Sequence, residues 1–158
     1  PSIRSLADLI AFNERHADRE LALFGQEVLL EAESMGPLTD PEYRKAREEC
    51  VVRSRAEGID AVLDQNRLDA IVTLTNGPAH VLDVVLGDRW LGGTSTYAAV
   101  AGYPNITLPC GHVGGLPVGI SIFGRAWSDA RILGLAYAFE QVTQARREPP
   151  LAPSLESM

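Results

Sequence analysis

The first candidates for catalytic chemistry in this sequence are two serines, as nucleophiles, and two aspartates, as an acid–base pair. Ser95 and Ser121 each carry a hydroxyl that could act as a nucleophile. A serine nucleophile needs an adjacent base, and no local motif, such as Gly-x-Ser-x-Gly, supplies one to either residue. Asp83 and Asp88 fit loop or helix-end carboxylates better than an acid–base pair. The residues by themselves therefore predict no catalytic set.

Metal and cofactor chemistry has no more support in the sequence. His16, His80 and His112 lack the close spacing of metal ligands, and the two cysteines share no binding motif. The glycine-rich run at residues 111–115 is predicted to be a loop that leads into a strand rather than a helix, so it does not match a nucleotide-binding loop. We expect no metal and no cofactor.

A polar loop after a buried strand is the strongest candidate for ligand binding. Residues 70–74 form a short apolar run, bounded by turn residues as buried strands are. In open α/β sheets the loops past the carboxyl ends of strands carry ligands. The candidate residues in this loop are Thr75, Asn76, Gly77, Pro78 and Ala79. The alternative is that Asn-Gly-Pro forms only a tight turn.

Ser95 is the sixth candidate for substrate binding. It follows Gly92-Gly-Thr and precedes a run of small residues that predicts a short helix. A helix N-terminus can hold an anion, but Thr94, Ser95 or Thr96 would also serve there simply as a cap. The sequence is compatible with both roles.

Helices on both sides must support these loops. Residues 1–67 predict a helical segment, in which a helix over residues 41–66 is bent or divided at Gly58. Residues 68–124 predict strands joined by loops rich in glycine and proline, and residues 128–147 predict the final helix. Short strands covered by helices indicate an α/β fold.

Composition sets the outer limits of function. The 158 residues are 46% hydrophobic, enough for a single domain over residues 1–148, followed by a disordered tail at 149–158. The formal net charge of −7 disfavours a nucleic-acid surface. The sequence has no apolar run as long as a membrane span and no signal-peptide features, and its two widely separated cysteines favour a reducing compartment. We therefore expect a cytoplasmic location.

Several motifs, in the right order, resemble those of amidase signature enzymes. Leu68-Asp-Ala-Ile-Val-Thr-Leu-Thr75, followed by Asn76-Gly-Pro-Ala79, is similar to a late strand and loop of that family. The helix at residues 132–141 is similar to its terminal helix. Two runs of this sequence resemble the C-terminal pattern of the family. They are Ala98-Ala-Val-Ala-Gly-Tyr-Pro-Asn-Ile-Thr-Leu-Pro-Cys-Gly111 and Gly115-Leu-Pro-Val-Gly-Ile-Ser-Ile-Phe-Gly-Arg-Ala126. The match covers most of residues 58–147.

The resemblance implies an amide-cleaving hydrolase with an α/β/α fold, in which helices flank a mixed sheet. In that family a serine nucleophile is assisted by a second serine and a lysine, and an acyl-enzyme forms. The matched residues contain no such set, because the only lysine is Lys45, in a charged helix, and Gly92-Gly-Thr-Ser95 is not the family's nucleophile loop. The resemblance therefore implies the C-terminal part of an amidase, inactive alone.

Two interpretations of different class follow. In the first, these residues belong to a longer amidase with a small amide substrate, and the start at Pro1 rather than Met favours it. In the second, they form a free-standing module for binding or assembly. A sheet cut from its other half would expose apolar faces and strand edges, so we expect a homodimer. The candidate surfaces are the strands at 70–74 and 118–123 and the helix stripes through Leu9, Leu29 and Leu30.

Overall fold

The structure, a computed structural model, describes residues 3–81, 83, 85–87 and 91–149. Asp88, predicted to be a loop or helix-end carboxylate, and most of the predicted disordered tail lie outside the described residues. The chain divides into two compact units, and the division falls inside one helix, between Arg47 and Glu48. The first unit contains residues 1–47 and 83–87, and the second contains residues 48–82 and 88–158.

The first unit is helical, as the sequence predicted. Its helices are α1 (Leu6–Arg15), α2 (Ala17–Glu20), α3 (Glu27–Ser34) and the start of α4 (Pro41–Ser54). Ser5 and Asp8 form a reciprocal cap on α1, because each side chain accepts the backbone N–H of the other at 3.1 Å. The buried Gln26 joins α1 to the start of α3 by accepting a hydrogen bond from the Asn13 side chain at 3.1 Å.

The predicted division of the long helix at Gly58 is confirmed. Helix α4 gives way to a π-helical turn (Arg55–Ile59), and α5 (Asp60–Asn66) follows. A Cβ atom at Gly58 would lie 2.5 Å from the carbonyl oxygen of Arg53, so only glycine fits this wider turn without a shift. The turn places Ile59 and Leu63 in the core of the second unit.

Three strands form the sheet of the second unit: β1 (Ile71–Leu74), β2 (Asn105–Val113) and β3 (Leu116–Phe123). Their order is β1-β3-β2, and all pairings between these described strands are antiparallel. Because β3 is the central strand, its residues 120–123 are paired on both sides. The predicted open edge at 118–123 is therefore wrong for residues 120–123, and β1 and β2 are the outer strands among those described.

The predicted loop at residues 111–115 is wrong in its first half. Strand β2 continues through Val113 across a register shift between Pro109 and Gly111. Only Gly114 and Gly115 form the turn, and their φ angles of 57° and 83° match the two-residue hairpin turn that favours glycine at both positions.

Helices cover both faces of the sheet. Ile122 and Leu108 pack against Ile132 and Ala136 of α7 (Asp129–Thr143). On the opposite face, Phe123 packs against α5 and against α6 (Ser95–Ala101). This layering confirms the expected α/β fold; the parallel pairing of a mixed sheet does not occur among the described strands.

Helix α7 is the clearest sequence prediction, but it is shorter than expected. It ends at Thr143 instead of continuing to residue 147, because Gln144 adopts a left-handed conformation with φ 46° and its backbone N–H bonds the carbonyl of Glu140. None of the helices in the described part of the chain combines the length and hydrophobicity needed to cross a bilayer.

Candidate functional site

The candidate loop at residues 75–79 is held against the glycine segment that precedes α6. The backbone N–H of Thr94 donates to the carbonyl of Thr75 at 3.2 Å. The Thr94 hydroxyl donates to the carbonyl of Leu74 at 2.7 Å. Asn76 and Gly93 form an isolated antiparallel bridge. Strand β1 and the N-terminus of α6 are therefore fixed to each other at the point where the candidate residues begin.

The side chain of Asn76 clamps this arrangement. With its amide nitrogen facing the neighbouring carbonyls, it donates to Thr75 at 3.0 Å and to Gly92 at 2.9 Å. Glycine is needed in both segments, at Gly77 in the candidate loop and at Gly93 before α6. A Cβ atom at Gly77 would lie 2.6 Å from the Cβ atom of Leu91, and a Cβ atom at Gly93 would overlap the Asn76 side chain. The Asn-Gly-Pro segment therefore does more than reverse the chain, because the Asn76 side chain bonds two carbonyls and Gly77 lies against Leu91.

A pocket of about 200 Å³ opens beside the clamp. Its lining includes four of the six candidate residues, Asn76 to Ala79, together with His80, Leu91 and Gly92. The volume is below the range of typical ligand pockets, about 300–1,000 Å³, so it has room for a small group rather than a whole drug-sized molecule. Thr75 lies at the base of this wall and does not line the pocket.

Ser95 is not brought to the pocket. It is the first residue of α6, its side chain is exposed, and it is not among the lining residues. The prediction that a hydroxyl caps this helix is also wrong. Thr94 occupies the capping position, but its hydroxyl bonds the carbonyl of Leu74 and makes no capping bond. The sequence could not show that the Thr94 hydroxyl bonds a carbonyl of β1 instead of a backbone N–H of α6.

Sequence reasoning missed a cluster of three hydroxyls beneath the loop. Ser121 is completely buried, and its Oγ lies 2.9 Å from Thr75 Oγ1 and 3.2 Å from Thr107 Oγ1. The two threonine hydroxyls lie 3.4 Å apart. The hydrogen bonds of Ser121 go to hydroxyls and not to a base, so its arrangement does not activate it as a nucleophile. The available signal was a hydroxyl residue in or just past each of the three strands.

A second polar group lies around Tyr103, next to α6. The Tyr103 hydroxyl donates to the carboxylate of Asp60 at 2.7 Å, and the Arg55 guanidinium lies 5.5 Å from the centre of the Tyr103 ring. Burial raises the pKa of the Tyr103 phenol above its usual value, and the hydrogen bond to Asp60 raises it further. Arg55 also donates to the carbonyl of Ala101 at 2.7 Å. This group joins the π-helical turn to α6.

The site gives no indication of metal chemistry within the described ranges. No three or more His, Cys, Asp or Glu side chains converge there as metal ligands would. What the arrangement offers is a rigid, mostly uncharged wall with backbone carbonyls and one asparagine amide. Such a wall can orient a substrate, but it cannot by itself break a bond.

No protein-family model matches the chain, but curated and solved proteins do. The chain is 38% identical over 149 residues to a probable amidase of Arabidopsis thaliana, a match that covers 93% of the chain. The resemblance seen in the sequence is confirmed: the chain belongs to the amidase signature family.

Two solved structures of peptide amidases are similar in fold and sequence. The native peptide amidase from Stenotrophomonas maltophilia matches 96% of the chain with a TM-score of 0.85 and 47% identity. A peptide amidase in complex with the competitive inhibitor chymostatin matches 93% of it with a TM-score of 0.88 and 49% identity. The chain spans only 26% of the Arabidopsis relative and 30% of each of these two structures.

Proposed function

We propose that this protein hydrolyses C–N amide bonds, with peptide amides as its substrates. The observation that carries the proposal is the clamped loop at residues 75–79, which lines a small pocket in a chain 47% identical to a peptide amidase. The residues described above supply the sheet, its covering helices and part of the substrate wall. The pocket would hold one group of the substrate beside the scissile amide.

The catalytic residues of this proposal lie outside the 158 residues. In the mechanism that the family resemblance implies, a serine oxygen attacks the amide carbon, the C–N bond breaks, and ammonia leaves with a proton supplied by the site. Water then cleaves the acyl-enzyme to release the carboxylate. Lys45, the chain's one lysine, is exposed on α4, and the hydroxyl partners of Ser121 are threonines, so neither fits that role.

The partners follow from the same proposal. The substrate is a small amide, and we propose no nucleic-acid partner, because a formal net charge of −7 opposes binding to phosphates. A cytoplasmic location and the absence of a membrane partner belong to the same interpretation.

The test is to express the complete reading frame that encodes the chain and to measure ammonia release from C-terminally amidated dipeptides. The frame should also encode a Gly/Ser-rich loop with a lysine before it, and replacing the loop serine by alanine should abolish release. A folded product that binds peptide amides without cleaving them would overturn the proposal. That result would favour the alternative, a module for binding or assembly.

A further inference from the structure

The hydroxyl cluster beneath the candidate loop has a geometry set by strand register. Side chains of β3 alternate between the two faces of the sheet, so Gly119, Ser121 and Phe123 share one face. Thr107 on β2 lies directly opposite Ser121. Thr75, just past the end of β1, reaches the same place because its backbone N–H donates to the carbonyl of Gly119 at 2.8 Å.

Gly119 makes the convergence of the two threonines possible. A Cβ atom at Gly119 would lie 3.1 Å from the methyl group of Thr107 and 3.3 Å from the hydroxyl of Thr75. Because Gly119 has no Cβ atom, the side chains of both threonines can lie next to it, within hydrogen-bond distance of Ser121. A side chain at this position would therefore press on both threonines, and glycine is common where a strand lets other groups approach closely.

The three hydroxyls are close enough to bond one another in a ring. Each hydroxyl has one proton to donate, and the three oxygen–oxygen distances of 2.9, 3.2 and 3.4 Å allow one donation per residue around a ring. Ser121 is fully buried, and a buried hydroxyl without a partner is costly, so the ring favours one side-chain orientation of Thr75. Thr75 in turn holds the loop, because its carbonyl accepts from Thr94 and from Asn76.

We infer that Ser121 and Thr107 are positioning residues for the substrate wall, acting through Thr75 on the pocket at residues 76–80. This inference rests on the proposed function and deepens it, since it names what fixes the shape of the substrate-facing loop. Neither residue needs to touch substrate. Removing either hydroxyl opens the ring and leaves the Thr75 side chain with one hydroxyl partner instead of two. Thr75 is then held less firmly, and we expect the clamp that Asn76 makes on Thr75 and Gly92 to loosen.

Amide hydrogen exchange in the 158-residue chain tests the structural step without any activity. Ser121→Ala and Thr107→Val each remove one hydroxyl, and Thr107→Val keeps the side-chain shape. Exchange of the Thr75 and Thr94 amides should become faster by about threefold to tenfold, the range expected for one lost hydrogen bond. Thr107→Ser keeps the hydroxyl and should restore slow exchange. Ser128→Ala, which removes a half-buried hydroxyl bonded to Arg125, is the matched control.

Kinetics of the product of the complete reading frame test the functional step. Ser121→Ala and Thr107→Val should raise KM for a peptide amide at least about threefold with little change in kcat, and Thr107→Ser should not. Unchanged exchange at Thr75 and Thr94, or faster exchange with an unchanged KM, would overturn the inference. If the unmodified product released no ammonia, the proposed function would fall, and exchange would still decide whether the ring holds the loop.

Discussion

Asn76 and Gly93 pair across the candidate site as an isolated antiparallel bridge, and the side chain of Asn76 occupies the space where a Cβ atom at Gly93 would lie. Asn76 thus holds the two segments together and also explains why its partner, residue 93, is a glycine. The same side chain borders the pocket. The bridge therefore links the stability of the second unit to the shape of the candidate site.

Gly93→Ala should destabilise the second unit, because the new methyl group displaces the Asn76 side chain. We expect the free energy of unfolding to fall by about 1–3 kcal/mol, the usual cost of overpacking. Gly134→Ala is the matched control: it lies in α7, where a Cβ atom would meet nothing within 4 Å, and should raise stability by about 0.5–1 kcal/mol. Urea unfolding measures both, and equal effects of the two variants would contradict the bridge.

Asn76→Phe should change substrate preference in the product of the complete reading frame, in addition to the stability that is lost with the hydrogen bonds of the Asn76 side chain. A bulky ring would fill part of a pocket of about 200 Å³, so amides with a large group next to the scissile bond should lose most. The measurement is the ratio of kcat/KM for two peptide amides that differ in that group. A steep fall in melting temperature with an unchanged ratio would mean that the loop is only a turn.

Much of the fold could be predicted from the sequence, and the errors have physical causes. The α/β fold, the helix division at Gly58 and the final helix follow from periodicity and glycine placement. The extension of β2 to Val113 was missed because glycine-rich sequence resembles a loop, whereas only Gly114 and Gly115 form the turn and Gly111, with a φ of 158°, lies within the strand.

The candidate site was less accessible to sequence reasoning. The loop at residues 75–79 could be proposed as a candidate from the position of a strand end. The hydroxyl ring was not found, because it joins Thr75, Thr107 and Ser121 from three separate segments. Their meeting depends on the register of β3 with both neighbours and on the missing side chain at Gly119, and a single sequence shows neither.

Stability should fall at high pH through Tyr103. Its pKa is raised in the folded chain, so the neutral phenol stabilises the fold fully below the pKa of an unfolded tyrosine, about 10, and this contribution is lost as the pH rises through the folded value. Tyr103→Phe should lose less stability between pH 9 and 11, a window about one unit either side of that value. The measurement is urea unfolding across that range. Tyr137→Phe, on the exposed side of α7, is the control, and identical profiles for the unmodified chain and Tyr103→Phe would refute the assignment.

We expect the 158-residue chain to self-associate. Val72 and Leu74 on β1 are 59% and 62% exposed, and β1 pairs on one side only among the described strands. Unpaired edges and apolar side chains recruit a second chain. Light scattering over a dilution series should show a dimer, and Val72→Lys should weaken it. Val142→Lys, at an exposed position of α7, should not, and a monomer at every concentration would rule the dimer out.

The most direct measurement is ammonia release from peptide amides by the purified 158-residue chain beside the product of the complete reading frame. We predict turnover by the complete product and none by the chain, because the described hydrogen-bond partners of Ser121 are threonine hydroxyls and not a base. Turnover by the chain that Ser95→Ala or Ser121→Ala abolishes would contradict the account, because it would place the nucleophile inside these residues.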